Sequence, residues 1–173
     1  MAKTLVLTFI AEDRPGLVEK LSEAVTEQDG NWLESRMAHL AEKFAGIARV
    51  QIPEHKVASL KEALTGLEAE GFRLTVEEST NGAPAAGSML SLDLIGPDHP
   101  GIVRDISHCL AESGVSVEEM ETGVEDAPMG GGTLFHATAR VRVPAGLGED
   151  TLRRALEAVA GSLMVDITLR EED

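Results

Sequence analysis

"FIAEDRPGLVEKLSEAV", Phe9 to Val25, runs an alternating apolar stretch into a polar Asp-Arg-Pro-Gly elbow and then into a helix-period stretch. Eighty-five positions later "LIGPDHPGIVRDISHCL", Leu94 to Leu110, says nearly the same thing: Asp13, Pro15, Gly16 and Val18 return as Asp98, Pro100, Gly101 and Val103. Working outward, "GNWLES" (Gly30 to Ser35) matches "GVSVEE" (Gly114 to Glu119), and "ARVQIP" (Ala48 to Pro53) matches "ARVRVP" (Ala139 to Pro144). The offset falls to 84 and then rises to 91, which puts seven extra residues in "TGVEDAPMGGGTLF". Insertions of that kind belong in surface loops.

The matched segments have the periods of strands and helices. Leu5, Leu7 and Phe9 alternate with Val6, Thr8 and Ile10, and Ala48, Val50 and Ile52 with Arg49 and Gln51. Phe135, Ala137, Ala139, Val141 and Val143 alternate with His136, Thr138, Arg140 and Arg142. Such period-2 runs belong to strands with one buried face. Val18, Leu21 and Val25 make one helical stripe, Val57, Leu60, Leu64 and Leu67 a second, and Leu152, Leu156 and Val159 a third. Gly71 and Gly161 stand where C-terminal helix caps are expected. Each half therefore reads strand, helix, strand, strand, helix, strand. That order predicts an α+β chain of two ferredoxin-like βαββαβ domains, each an antiparallel four-stranded sheet with two helices on one face. The expected domains are residues 1–79 and 88–173, joined by a linker at 80–87 within the polar "ESTNGAPAAGS".

Composition narrows the function. The 173 residues carry 30 acidic and 15 basic side chains, a net charge of −15. Phosphate backbones and anionic membranes are bound by clustered Lys and Arg, so neither is an expected direct partner. The N-terminal "KTLVLTFIA" is short for a signal peptide, and "MLSLDLIG" repeats its character deep inside the chain. No apolar run reaches transmembrane length. A single cysteine excludes an intramolecular disulfide and fits a reducing compartment.

The elbow admits two chemistries. Asp13 can cap the new helix by accepting the Gly16 N–H, with Pro15 tolerated in the first turn. Equally, free N–H groups at the positive end of the helix can bind a carboxylate while the Asp pairs with an ammonium group, which together suit a zwitterionic amino acid. Other residue types carry less. Cys109 aligns with Ala24 on an inward helix face and reads as core. The five histidines have no metal-binding spacing, so neither metal nor cofactor is expected. "MGGGT", Met129 to Thr133, lacks the Lys-Ser/Thr pair of a phosphate loop and reads as a hairpin loop, with a lid or partner-binding role also open. Trp32 suits an interface or the core equally, and His99 an exposed elbow position or a ligand contact. No converging nucleophile, acid or metal set marks an enzyme.

"AEDRPGLVEKLSEAVTEQDGNWLESRMA" and "GPDHPGIVRDISHCLAESGVSVEEMET" both resemble the start of an ACT domain, a small regulatory module that binds amino acids. "DAPMGGGTLFHATARVRVP", Asp126 to Pro144, is similar to the Gly-rich loop and third strand in the second module of tandem-ACT regulators of the glycine cleavage system. What the resemblance implies is a cytoplasmic, non-enzymatic regulator that responds to a small amino acid, glycine or serine favoured. It would control transcription through a DNA-binding protein partner, and a homodimer is open. The alternatives are a regulatory subunit or arm of an amino-acid or folate enzyme, and a tandem scaffold that binds protein alone. By position the resemblance implies ligand contacts at the elbows, Asp13, Arg14, Pro15, Gly16 and Leu17, and Asp98, His99, Pro100, Gly101 and Ile102. It adds a polar group early in the second strand, where this chain has Asn31 and Trp32 in one half and Ser116 in the other.

Overall fold

A computed structural model describes residues 1–80, 82, 83 and 85–172. Positions 81 and 84 of the expected linker, and 173 of the expected second domain, lie outside the described residues. The chain divides into two compact units, Met1–Ala83 and Pro84–Asp173. The first contains β1 (Ala2–Glu12), α1 (Leu17–Thr26), β2 (Asn31–Leu40), β3 (Lys43–Pro53), α2 (Val57–Gly66) and β4 (Arg73–Glu78). The second contains β5 (Ser88–Pro97), α3 (Ile102–Glu112), β6 (Ser116–Asp126), β7 (Thr133–Val143), α4 (Glu149–Leu163) and β8 (Asp166–Glu171). The sheets run β2-β3-β1-β4 and β6-β7-β5-β8, with every pairing antiparallel. This is the ferredoxin-like plan, twice.

Strand alternation decides what each sheet buries. Leu5, Leu7, Phe9 and Ala11 of β1 face the helices and are buried, as are Ala48, Val50 and Ile52 of β3. In the second unit the same role falls to Leu90, Leu92 and Leu94 of β5 and to Phe135 through Val143 of β7 at every other position. A fully buried Leu or Phe gains about 1.5–3 kcal/mol over leaving it in water, so these rows fix the sheet register. A one-residue slip would turn them outward.

Two helical details differ from the sequence expectation. In α1 the buried stripe is Leu17, Leu21, Ala24 and Val25, while Val18 is 41% exposed; its counterpart Val103 in α3 is 43% exposed. The stripe starts one residue earlier because the helix itself starts at Leu17, directly after the turn. Gly161 does not end α4. The helix continues to Leu163 and is capped by Met164, which takes the left-handed conformation at φ 55°. Gly71, at φ 97°, does cap the 3-10 turn that extends α2, as its position predicted.

Alternation of direction along the chain sorts the loops into two ends. The elbow, the β2–β3 hairpin and the α2–β4 turn share one end of the first unit. Its ties are the Asp13 N–H donating to the Glu42 carbonyl at 3.0 Å and Arg14 donating to the Glu70 carbonyl. The second unit repeats this end with the Asp98 N–H donating to the Thr133 carbonyl at 2.8 Å and a His99 ring nitrogen 2.8 Å from the Leu163 carbonyl.

Candidate functional site

Each elbow is a tight turn set by its glycine. Gly16 has φ 89° and ψ 3°, and Gly101 has φ 96° and ψ −3°. Those are the dihedrals of the third residue in a type II turn, where glycine is favoured and Pro is favoured one position earlier. The glycine carbonyl accepts the first helical bond, from Lys20 N–H in α1 and from Asp105 N–H in α3. The expected Asp cap is not formed. Gly16 and Gly101 are themselves the cap residues, and no side chain bonds either helix start. Asp13 instead turns to the hairpin, 3.5 Å from His39 Nε2. The first-turn N–H groups are thus left for solvent or a ligand.

Three recesses surround the first elbow. One, of about 290 Å³, opens at the head of α1 and is lined by Asp13, Arg14, Gly16, Leu17, Val18 and Phe44 among others. A second, of about 410 Å³, lies between the elbow and the hairpin, against Asp13, His39, Glu42 and Lys43. A third, of about 370 Å³, lies on the other side of Arg14, over Ile10, Glu12, Lys43, Gly71 and Arg73. Ion pairs here are exposed, Lys43–Glu12 at 3.4 Å among them, and pairs of that kind contribute little to stability.

Not every predicted residue reaches an elbow. Asn31 pairs with Gln51, which in turn faces Thr4, eight residues along β1 from Glu12. At about 3.4 Å per residue that is roughly 27 Å. Ser116 pairs with Arg142, level with Met89 and equally far from Pro97. Within one unit, therefore, Asn31, Trp32 and Ser116 sit at the opposite end of the sheet from Asp13–Leu17 and Asp98–Ile102. Trp32 is half-buried against the first core. His99 is not a free elbow side chain: its Nδ1 lies 3.1 Å from the Pro100 carbonyl and its Nε2 2.8 Å from the Leu163 carbonyl. Those two acceptors, Leu163 foremost, raise its pKa above the ordinary 6.5, and Asp98 and Asp105 add to the rise. Cys109 is buried and reduced, and burial raises its thiol pKa, as suits a core position. Among the described residues no cluster of His, Cys, Asp or Glu could hold a metal ion, and no helix is long and apolar enough to cross a membrane.

Lys43 and Arg73 escaped the sequence reading. No local pattern marks them: the correspondence of Arg73 with Asp166 is set by strand register, Arg73 opposite Ile10 and Asp166 opposite Ile95.

Two antiparallel βαββαβ units, each with an Asp-x-Pro-Gly elbow at the head of its first helix, define a tandem of small ferredoxin-like modules. Residues 3–77 match the family model of the ACT domain. The first unit belongs to the ACT-domain family, and the second unit repeats its fold. Among solved structures it is similar to an unknown protein from Galdieria sulphuraria, with 30% identity, a TM-score of 0.86 and full coverage of both chains. It is also similar to a candidate glycine cleavage system transcriptional repressor, at 17% identity and TM-score 0.71 over 98% of this chain and 97% of that one. The second likeness is one of fold. No curated protein sequence matches the chain.

Proposed function

We propose that the chain is a non-enzymatic regulatory protein that responds to a small amino acid, glycine or serine first. It acts in the cytoplasm on transcription through a DNA-binding protein partner. Residues 1–79 and 88–173 are its two working modules and 80–87 the link between them. The observation that carries the amino-acid reading is the recess at the head of α1. Uncapped N–H groups at the positive end of the helix suit a carboxylate, and Asp13, on the same rim, suits an ammonium group. The scarcity of basic residues, 15 against 30 acidic, favours control through a protein partner over direct contact with DNA. Likeness in fold to a candidate glycine cleavage repressor points the same way.

Glycine has few atoms. At a ceiling of about −1.5 kcal/mol per heavy atom its affinity cannot greatly exceed micromolar, which is the range of a metabolite sensor. The test is a thermal-shift titration against the twenty amino acids in phosphate-free buffer. A ligand at about 100 times its Kd adds roughly 2.7 kcal/mol, on the order of 5–10 °C for a chain of this size. A saturable shift that Asp13→Ala abolishes and Asp98→Ala leaves intact is the expected result. No shift with any amino acid would sink the sensor reading and favour a scaffold that binds protein alone.

A further inference from the structure

The third recess beside the first elbow has a chemistry unlike the rest of this acidic chain. It opens on the face of the sheet turned away from the helices. Cross-strand partners share a face, and the register places Arg73 directly opposite Ile10 on one side of β1 and Lys43 directly opposite Glu12 on the other. Two long cationic side chains thus flank the last residues of β1 from both neighbouring strands. Arg14 completes the wall: its Nη2 is tied to the Glu70 carbonyl, and its Nη1 lies beside Gly71. The tie fixes the guanidinium at the rim while its charge remains. Three cations and one carboxylate, Glu12, line about 370 Å³. The local balance is +2 in a chain of net charge −15.

The Arg73 side chain makes no ion pair or hydrogen bond with another described residue, so its fork of donors is available. The volume lies within the range of metabolite pockets, about 300–1,000 Å³. A single carboxylate would leave this cleft with surplus positive charge, whereas a doubly charged group would neutralise it. Arginine recognises phosphate and carboxylate oxygens in pairs.

The second unit provides an internal control. By the same register Asp166 stands opposite Ile95 and Leu134 opposite Pro97. The places of Arg73, Lys43 and Arg14 are therefore held by Asp166, Leu134 and His99. Same fold, opposite electrostatics.

We propose that the cleft formed by Arg14, Lys43 and Arg73 binds a small dianion, a phosphate monoester or a dicarboxylate, in the first unit only, on the other side of Arg14 from the recess at the head of α1. The ligand is recognised by its two negative charges, and the apolar Ile10 side chain floors the site.

The experiment is a thermal-shift and calorimetric titration of the full chain with inorganic phosphate and with succinate, no amino acid present. Chloride at matched ionic strength is the reference. Saturable binding of phosphate or succinate, weakened at least tenfold by Arg73→Asp and by Lys43→Leu, is the expected outcome. Those two variants carry the second unit's residues at exposed positions, and their unchanged circular dichroism melts confirm that they fold. Phosphate binding without succinate binding identifies the phosphate-ester class, and the reverse the dicarboxylate class. Equal shifts with chloride, or equal affinity in both variants, overturn the proposal, as does no binding of either anion. Failure here is distinguishable from failure of the amino-acid reading, because Asp13→Ala removes the amino-acid response and leaves the anion response unchanged.

Discussion

The two elbows are one backbone with two electrostatic outfits. In both, a glycine near φ 90° turns the chain, its carbonyl starts the helix, and the Asp N–H ties the turn to the neighbouring hairpin. In both, the residue after the Asp also reaches the last carbonyl before a left-handed helix cap: Arg14 reaches Glu70 before Gly71, and His99 reaches Leu163 before Met164. The clamp is shared, but the clamping group is a permanent cation in one unit and a titratable ring in the other. Around it the first unit gathers Lys43 and Arg73, and the second Leu134 and Asp166. Backbone geometry is what the duplication preserves; charge is where the copies have parted.

The open sheet faces share some features and differ in others. Each carries an exposed isoleucine at the matching place, Ile10 and Ile95, to which the first adds Ile47. Each carries ion pairs, Arg49 with Glu34 at 3.0 Å in the first unit and a larger network in the second. Arg140 bonds Glu172 at 2.8 Å and Glu119 at 3.2 Å, and Arg170 lies 3.7 Å from Asp93. The Arg140 guanidinium holds the Glu172 carboxyl below its usual range.

The sharpest break in the equivalence is at Ala11 and Gly96, which occupy matching places in β1 and β5. A Cβ at Gly96 would lie 2.6 Å from Val165 Cγ1 and 2.9 Å from its Cα, so the backbone itself must shift. Gly96→Ala is expected to destabilise the second unit by about 1–3 kcal/mol, read as a lower midpoint in urea. Ala11 is buried against the first core without such a clash, so the reverse swap, Ala11→Gly, costs only its methyl and some backbone entropy, about 1–2 kcal/mol. Equal tolerance of alanine at both places would mean the two β-strand ends are packed alike after all.

Next in size is the test of sameness. Gly16→Ala and Gly101→Ala each force an L-residue into the left-handed region, which costs roughly 1–2 kcal/mol. Because the dihedrals agree to within a few degrees, the two penalties should agree to a few tenths of a kcal/mol in denaturant titrations. A marked difference would show that one elbow is held by something besides its turn.

The smallest effect is on pH. A neutral imidazole donates from one nitrogen only, so satisfying the Leu163 and Pro100 carbonyls together requires the imidazolium. With the folded pKa of His99 raised above 6.5, both bonds are present below about pH 6.5, and one of them is lost as pH rises through the raised value. The second unit should therefore weaken slightly from mildly acidic to mildly basic pH, and His99→Arg should flatten that slope by copying Arg14. An unchanged pH slope in His99→Arg, measured by thermal melts across pH 6 to 8, would assign the dependence elsewhere.

Much of this was legible in the chain. The repeat, the period-2 rows and the Pro-Gly pairs led to the right architecture, because burial alternation and turn dihedrals are local demands on residue type. Where the simple periodicity failed, an adjoining turn, continued packing or a distant neighbour had won. Val18 looked like core by spacing, yet the turn starts the helix so that Leu17 faces inward. Gly161 looked like a cap, but α4 keeps its packing through Leu163, which is buried. His99 looked exposed until the end of α4, 64 positions away, supplied its acceptor.

The sequence by itself determined two βαββαβ units and the place and shape of their elbows, since apolar periodicity and glycine's access to positive φ act within a few residues. Only the tertiary structure decided what each elbow faces. Arg14, Lys43 and Arg73 are brought to one cleft by antiparallel pairing across three strands, and Asn31, Trp32 and Ser116 are carried to the other end of the sheet by the same pairing. Register couples residues tens of positions apart, and no local pattern in the chain records which charges will meet.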